Sequence, residues 1–380
     1  MSEQNRADPV PRSERDIAEL YFNRRVSAPF RVICEVTYRC NAHCIHCYAP
    51  PPEPYITELT FQEWKDVLQD ISDMGAFRVI FTGGEALLRK DIFDMIAWAH
   101  ELGLLTFLET NGSLIHRENA EKLVNAGIDV VNISINRSTP SDYDAFSGFK
   151  GLFNRAVTAL KTLNTYPVET SVFTTITKVN IKEIPDIIDL AASLGVNRIA
   201  FVHISPAGRA QPGSDLFPSA EEYIDVLNHI HEKDAQYPDL VIKYPNLPAF
   251  YFQESIGLEA YERVKNHEGY IELCTAGITG YVIDPAGNVK PCTVTSGITL
   301  GNVRNDSLKT LWLSSPVLEC LRNVEKSTET PCNTCRLNNI CVAGHRCLDY
   351  QLEHLTRHSQ SVAAPLCQQC YHHMTAKDQH

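Results

Sequence analysis

The sequence CNAHCIHC at residues 40–47 places three cysteines at separations of three and then two intervening residues. It follows an apolar run from Val32 to Val36, which predicts a buried strand. The three thiols therefore lie just beyond the end of a strand. Thiolates are soft ligands that suit iron–sulfur clusters or zinc. Three protein ligands leave one coordination position unfilled, and a catalytic metal site needs such a position for a substrate atom.

Length and charge limit the classes of function. The chain has 380 residues, more than one compact core usually holds, so we expect two domains. Its formal net charge of −12 argues against general binding of nucleic acid, which needs a basic surface. No apolar run approaches the length of a membrane span, and the polar first residues contain no secretion signal. We therefore expect a cytoplasmic protein that binds neither nucleic acid nor membrane.

The 13 cysteines are unevenly distributed along the chain. Three lie at residues 40–47, nine lie between Cys274 and Cys370, and Cys34 stands alone in the first predicted strand. A reducing cytoplasm does not favour a disulfide framework, so the two groups indicate bound metal instead. We predict that Cys34 is a small buried core residue.

Strand-like and helix-like segments alternate from residue 30 onward. The predicted strands are Arg31–Thr37, Phe77–Thr82, Leu104–Glu109, Asp129–Ile135, Glu169–Thr175 and Arg198–Ile204. The predicted helices are Thr60–Met74, Lys90–Leu102, Arg117–Ala126, Gly151–Asn164 and Ile181–Leu194, with a capping box predicted at Thr60 and Glu63. This alternation predicts an α/β fold, and six units favour a partial (β/α)6 barrel over a closed eight-fold barrel. Active sites of such sheets lie at the carboxyl ends of the strands, where residues 40–47 also fall.

Composition divides the chain into four segments. They are a polar arm (1–29), the partial barrel (30–210), a helical connector (211–265) and a small, irregular, cysteine-rich C-terminal domain (266–380). Helices are predicted at Ser13–Asn23 in the arm and at Ser219–His231 and Leu247–Lys265 in the connector. The C-terminal domain has too little apolar sequence for a core of its own, so we expect bound metal to stabilise it.

The cysteine motif at residues 40–47 resembles that of the radical S-adenosylmethionine (SAM) enzymes. Three further motifs stand where that family has them, each at the end of a predicted strand: Gly83-Gly84-Glu85, Thr110-Asn111-Gly112 and Ser134-Ile135-Asn136. The resemblance implies that Cys40, Cys44 and Cys47 hold a 4Fe–4S cluster whose open iron binds the amino and carboxylate groups of SAM. It also implies that the cofactor contacts Tyr48, Gly83, Gly84, Glu85, Asn111, Ser134 and Asn136.

Several of these residues also have simpler explanations. The Gly-Gly pair and Thr110-Asn111-Gly112 are each compatible with an ordinary turn. Many members of the family have aspartate where this chain has Asn136. His46 and Tyr48 correspond to residues near the adenine in the family, but packing against the protein explains them equally well. Arg209, in the loop after the sixth strand, either reaches the cofactor or a substrate carboxylate, or is a solvated surface residue.

The C-terminal cysteines resemble the SPASM extension of the same superfamily, which binds auxiliary iron–sulfur clusters. By analogy, the ligands of two auxiliary 4Fe–4S clusters are Cys274, Cys292, Cys332, Cys335, Cys341, Cys347 and either Cys367 or Cys370. Cys347 follows Cys341 after five residues rather than the usual three. The first auxiliary cluster lacks an obvious fourth cysteine, for which Cys320 is a candidate. The alternative is a zinc ribbon, because Cys-x2-Cys pairs also suit zinc.

The resemblance implies an enzyme that cleaves SAM reductively to a 5′-deoxyadenosyl radical, which abstracts hydrogen from a substrate. Relatives with this two-part organisation mostly modify ribosomally made peptides, and the segment from Glu35 to Cys40 is similar to the mycofactocin and pyrroloquinoline-quinone maturases. We therefore expect a precursor peptide as substrate and a flavodoxin or ferredoxin as reductant. The arm is too short for a recognition domain, so a separate small protein should deliver the leader peptide. Two alternatives remain: oxidation or decarboxylation of a small molecule such as a tetrapyrrole or a sugar, and a non-catalytic zinc-binding interaction protein.

Overall fold

The structure, a computed structural model, describes residues 27–49, 56–211, 214–247, 254–257, 276–295 and 298–322. Its strands within these ranges are β1 (Arg31–Glu35), β2 (Arg78–Thr82), β3 (Leu105–Thr110), β4 (Val130–Ser134), β5 (Glu169–Ile176), β6 (Arg198–His203), β7 (Val241–Lys243), β8 (Gly280–Ile283), β9 (Asn288–Lys290) and β10 (Gly301–Asn302). They form one sheet in the order β10-β9-β8-β1-β2-β3-β4-β5-β6-β7. Strands β1 to β8 pair in parallel, and β9 and β10 add antiparallel pairs at one edge.

Helices α1 to α7 connect the parallel strands β1 to β7, and α8 and α9 follow β10. The helices of the described ranges are α1 (Phe61–Asp73), α2 (Ile92–Glu101), α3 (Arg117–Asn125), α4 (Pro140–Ser147), α5 (Leu152–Leu163), α6 (Ile184–Leu194), α7 (Ala220–Gln236), α8 (Leu308–Ser314) and α9 (Pro316–Arg322), with short 3₁₀ turns at Ala86–Leu88 and Ile181–Glu183. In α1 the buried residues Trp64, Leu68 and Ile71 are three to four positions apart and form one apolar stripe. Its predicted capping box is confirmed, because the Glu63 N–H donates to Thr60 Oγ1 and the Thr60 N–H donates to the Glu63 carboxylate.

The predicted α/β class with a mostly parallel sheet is confirmed, and all six predicted strands are present. The sheet nevertheless has more parallel strands than six units provide, because β7 and β8 extend it on either side. These strands have three and four residues, too few for the alternation that identifies a strand in a sequence. The helix predicted at Ser219–His231 is present as α7, whereas α4 was not predicted.

The domain boundary near residue 266 stays a prediction. In the structure, Arg31 of β1 pairs with Gly280 of β8, so the C-terminal strands continue the sheet of the barrel. The helix predicted at Ser13–Asn23 and most of the one at Leu247–Lys265 lie outside the described residues.

Cys34 lies inside the core, as predicted, with no exposed surface. Burial raises the pKa of its thiol, which keeps the group neutral. No helix in the described part of the chain has the length and apolar character needed to span a bilayer.

A buried ion pair connects β9 to the barrel. Lys290 donates to the Glu35 carboxylate at 3.0 Å, and the two side chains are 10% and 2% exposed. Burial raises the pKa of Glu35, whereas the charge and the hydrogen bond of Lys290 lower it. The attraction therefore offsets part of a large desolvation cost, and removing one partner leaves a buried charge.

We expect Lys290→Met to destabilise the protein by about 3–5 kcal/mol, because it leaves the Glu35 carboxylate buried without its cation. The double variant Glu35→Met/Lys290→Met should recover most of this loss, since both charges are gone. Thermal unfolding of anaerobically purified protein measures both effects. Lys122→Met is the control, because Lys122 pairs with Glu118 on an exposed helix face and its loss should barely change stability. A Lys290→Met variant that unfolds at the same temperature as Lys122→Met would contradict this role of the ion pair.

Candidate functional site

The carboxyl ends of the parallel strands open into a cavity of about 670 Å³. Its lining includes Cys40, Cys44 and Cys47, together with Cys292 from the C-terminal segment. The volume falls in the usual range of ligand pockets. The cavity therefore brings the cysteine motif and one predicted auxiliary ligand around a common space.

The end of α4 holds one side of the cysteine loop, residues 40–48. The N–H groups of His43 and Ile45 donate to the carbonyls of Ser147 (2.7 Å) and Phe146 (3.1 Å). Two backbone hydrogen bonds thus fix the part of the loop between the first and last cysteine.

His46 packs against the same turn. Its ring stacks on Phe146, with 4.8 Å between the ring centroids. Burial, and secondarily the charge of Arg209, lowers the pKa of His46 to about 4, so the ring is neutral at pH 7. Its Nδ1 is buried and has no hydrogen-bond partner among the described residues. Packing therefore accounts for the ring, and a contact of His46 with the adenine of the cofactor stays a prediction.

The loop after β6 holds the other side of the cysteine loop. The Arg209 N–H donates to the Cys47 carbonyl (2.8 Å), and its Nε donates to the Cys44 carbonyl (2.7 Å). At Gly208, where φ is 60°, a Cβ would lie 2.4 Å from the Cys47 carbonyl oxygen, so only glycine fits. Arg209 is exposed, yet it contacts the cysteine loop twice. The sequence does not reveal this contact, because the two segments are 165 residues apart.

The thiols of the cysteine loop affect one another's pKa. Burial raises the pKa of Cys44 to about 12, the charges of Cys47 and Cys40 act in the same direction, and Arg209 opposes them. A bound metal reverses this effect, since it stabilises thiolates. Among the described residues, no three His, Cys, Asp or Glu side chains gather closely enough to hold a single metal ion. Three thiols that line one cavity fit a 4Fe–4S cluster, whose cysteines bind separate irons.

Gly83 and Gly84 pack directly against the segment that leads into Cys40. A Cβ at Gly83 would lie 2.3 Å from the Thr37 carbonyl oxygen, and a Cβ at Gly84 would lie 2.3 Å from that of Arg39. The Gly84 N–H donates to the Thr37 carbonyl at 2.7 Å. Both glycines also line the cavity. The pair is therefore more than a turn, because any side chain would push the cysteine loop away from β2.

Glu85 orients the neighbouring turn. The residue is fully buried. Its carboxylate accepts hydrogen bonds from Thr110 Oγ1 (2.7 Å), the Asn111 N–H (2.8 Å) and the Leu87 N–H (3.1 Å). Burial raises the pKa of Glu85, and these hydrogen bonds lower it. Its contact with the cofactor ammonium stays a prediction, while its contacts in the structure fix the turn Thr110-Asn111-Gly112.

Asn111 joins that turn to the cysteine loop. Its Nδ2 donates to Asn41 Oδ1 at 2.8 Å, and Asn41 Nδ2 donates to Ser113 Oγ at 2.9 Å. Asn111 lines the cavity beside the three cysteines. The structure thus brings this predicted site residue to the cysteine motif.

Ser134 and Asn136 lie at the end of β4 and also line the cavity. The Tyr143 hydroxyl donates to the Ser134 carbonyl. Asn136 Oδ1 accepts from the Thr175 N–H at 2.8 Å, which joins β4 to β5. Both residues are therefore at the predicted place, and their contacts with the cofactor stay predictions.

Tyr48 connects the cysteine loop with the C-terminal segment. It acts on Glu35, the partner of Lys290, by lowering the pKa of that carboxyl. Burial raises the pKa of Tyr48, the charges of Glu35 and Glu109 add to the effect, and those of Cys47 and Cys292 contribute less. Tyr48 lines the cavity together with Cys47 and Cys292. The remaining predicted auxiliary ligands lie outside the described residues: Cys274, Cys332, Cys335, Cys341, Cys347, Cys367, Cys370 and the side chain of Cys320.

Cationic side chains also line the cavity, and the sequence patterns did not reveal them. Arg31 and Arg78 begin β1 and β2, Lys243 ends β7, and Glu109 faces the same space from β3. Each residue lies on a different strand, so only the assembled sheet brings them together.

Known proteins match this chain over most of its length. The radical SAM superfamily model matches residues 34–191, and the SPASM model, an iron–sulfur cluster-binding domain, matches residues 274–336. The AdoMet-dependent heme synthase of Oleidesulfovibrio alaskensis is 31% identical and covers 81% of this chain and 80% of that protein. The PqqA peptide cyclase of Bradyrhizobium diazoefficiens is 28% identical and covers 85% of this chain and 83% of that protein.

One solved structure shows the same fold with a peptide bound. The crystal structure of Streptococcus suis SuiB with its precursor peptide SuiA has a TM-score of 0.73 at 17% identity. The match covers 97% of this chain and 84% of that chain. At this identity the likeness supports the architecture of the chain.

Proposed function

The chain belongs to the radical SAM superfamily and is an enzyme, and from this premise we propose that it oxidises or decarboxylates side chains of a carboxylated tetrapyrrole. The radical SAM and SPASM resemblance predicted from the sequence is confirmed, and the two matched domains imply 4Fe–4S clusters. The relatives include both heme synthases and peptide cyclases, so the choice of substrate rests on the chemistry of the cavity.

The charge of the cavity carries this proposal. Its described lining contains one carboxylate, Glu109, and five cations: Arg31, Arg78, Arg198, Arg209 and Lys243, of which Arg198 is paired with Glu169 outside the lining. A cleft with a surplus of one charge attracts ligands of the opposite charge, and walls of low dielectric strengthen the attraction. A tetrapyrrole with several carboxylate side chains has the charge that this lining favours.

The chain's own residues position and enclose the reaction. When bound, the iron–sulfur clusters and SAM supply the radical that abstracts hydrogen and the acceptor for the electron that the substrate releases. Cys40, Cys44 and Cys47, which line the cavity, would hold the first cluster. Arg209 and the end of α4 fix the backbone of the cysteine loop.

A peptide substrate is the second candidate. It is favoured by the similarity to PqqA peptide cyclases, which extends over most of both chains. In that case a separate small protein would deliver the leader of the precursor peptide. A flavodoxin or ferredoxin would supply electrons for either substrate.

Turnover by the anaerobic, iron-loaded enzyme distinguishes the two substrates. We would measure 5′-deoxyadenosine with SAM and reductant alone, with a porphyrin tetracarboxylate, and with a candidate precursor peptide plus its small partner protein. We expect the porphyrin to stimulate cleavage of SAM and to lose hydrogen or carbon dioxide, as measured by mass. Stimulation by the peptide instead, with a mass change in the peptide, would overturn the tetrapyrrole proposal.

A further inference from the structure

The side chain of Arg209 is fixed against the backbone of the cysteine loop. Its Nε donates to the Cys44 carbonyl at 2.7 Å, and its backbone N–H donates to the Cys47 carbonyl at 2.8 Å. Gly208 allows this close approach, because a Cβ there would lie 2.4 Å from the Cys47 carbonyl oxygen and 2.6 Å from the carbonyl carbon of Tyr48. Two hydrogen bonds and a tight backbone contact therefore hold a positive charge at the residues that carry two of the thiols.

The charge of Arg209 also reaches the side chains of the loop. Burial raises the pKa of Cys40 and of Cys44, and the charge of Arg209 opposes this effect at both thiols. Burial lowers the pKa of His46 to about 4, and Arg209 acts there in the same direction. A cation has these effects because it stabilises negative charge nearby and disfavours positive charge. The field of Arg209 therefore covers the part of the loop that would hold the first cluster.

We propose that Arg209 raises the reduction potential of the first cluster, because it fixes a positive charge beside the cysteines that would hold that cluster. One electron from a flavodoxin or ferredoxin adds one negative charge to the cluster and leaves the donor oxidised by one electron, and no bond forms or breaks. A cation next to the cluster stabilises the reduced form, so reduction becomes easier. The inference goes beyond the proposed function and applies equally to a tetrapyrrole and to a peptide substrate.

The exposure of Arg209 limits the size of the effect and makes it depend on salt. Its side chain is exposed, so water and dissolved ions screen its charge. We expect loss of the charge to shift the equilibrium of cluster reduction by about threefold to tenfold, and tenfold corresponds to about 59 mV for one electron. A guanidinium keeps its charge at every working pH, so the effect should not depend on pH.

A redox titration of the anaerobic, iron-loaded chain without SAM measures this potential by electron paramagnetic resonance. The signal that is missing from Cys44→Ala identifies the first cluster. Arg209→Gln should lower its potential, Arg209→Glu should lower it further because the charge is reversed, and Arg209→Lys should keep most of the wild-type value. The backbone hydrogen bond to the Cys47 carbonyl persists in all three variants, so the series varies mainly the charge.

Salt provides a second readout that a purely structural role would not change. Raising the salt from about 50 mM to about 500 mM shortens the range of electrostatic interactions severalfold. The potentials of wild type, Arg209→Gln and Arg209→Glu should therefore move closer together at high salt. If Arg209 acted only by holding the loop, the differences between these proteins would stay the same.

Lys161→Gln is the matched control, because it also removes one exposed cation. Lys161 lies in the last turn of α5, whereas the turn at Gly148 before this helix packs against His43 of the cysteine loop. Ten residues of helix from Gly151 to Lys161 span roughly 15 Å, more than the Debye length of about 8 Å at physiological salt. This control should leave the potential unchanged.

Three results would overturn the inference. The first is an unchanged potential in both Arg209→Gln and Arg209→Glu, including the case in which these variants only bind SAM more weakly. The second is a potential that falls equally in Arg209→Lys and Arg209→Gln, since the charge would then not matter. The third is loss of the first cluster, measured as iron content, in both Arg209→Gln and Arg209→Met, because Arg209 would then be needed to hold the loop. Thermal unfolding shows whether each variant folds.

Discussion

Replacing Cys44 with alanine should abolish formation of 5′-deoxyadenosine while iron in the C-terminal domain stays bound. Cys44 is the middle thiol of the cysteine loop and lines the cavity. Its loss leaves two thiols there, which is too few to hold a cluster of this kind stably. Iron content should therefore fall from about twelve to about eight atoms per chain. Iron and sulfide analysis, electron paramagnetic resonance and chromatography of the nucleoside products measure these effects.

Cys34→Ala is the matched control for Cys44→Ala. Cys34 lies only six residues before Cys40 in the sequence, but its side chain is fully buried in the core. The control should keep normal iron content and normal cleavage of SAM, with a loss of about 1 kcal/mol in stability from the altered packing. Retained cleavage in Cys44→Ala would mean that a different set of cysteines carries the radical chemistry.

The parallel sheet was predictable because its strands are long and strongly apolar. Most residues of the runs at Val32–Val36 and Arg78–Thr82 are buried, and in β2 the buried residues lie on both faces of the strand, so the continuous apolar composition indicates a parallel sheet directly. The cysteine motif was predictable for a related reason, since its ligands are close together in sequence. Its place at the carboxyl end of β1 then followed from the general geometry of parallel sheets.

Contacts between distant segments were not predictable in this way. Lys243 belongs to a strand of three residues, and Lys290 reaches Glu35 across 255 residues of sequence. Arg209 showed no pattern of its own, because its partners are carbonyl groups that any residue carries. Each of these interactions depends on strand register and on loop packing, which local periodicity does not encode.

Replacing Gly84 with alanine should reduce cleavage of SAM by about a hundredfold or more, because a small displacement of a reacting group is enough to cause such a loss. The new Cβ would lie 2.3 Å from the carbonyl oxygen of Arg39 and 2.7 Å from that of Tyr38. These are backbone atoms directly before Cys40, so relief of the clash must move the cysteine loop or the end of β2. Glu85 moves with the same segment, and its hydrogen bonds to Thr110 and Asn111 should weaken together.

Gly103→Ala separates this effect from the general cost of adding a methyl group. Gly103 has a φ of 77°, so alanine there is strained by about 1 kcal/mol, but its Cβ would meet no atom within 4 Å. This variant should lose stability and cleave SAM at the normal rate per bound cluster. Gly84→Ala should instead show an altered electron paramagnetic resonance spectrum of the reduced cluster on addition of SAM, because the loop that carries Cys40 has moved. If Gly84→Ala matched wild type in both the spectrum and the rate, the two glycines would not position the cysteine loop, and their place at the end of β2 would reflect only a turn.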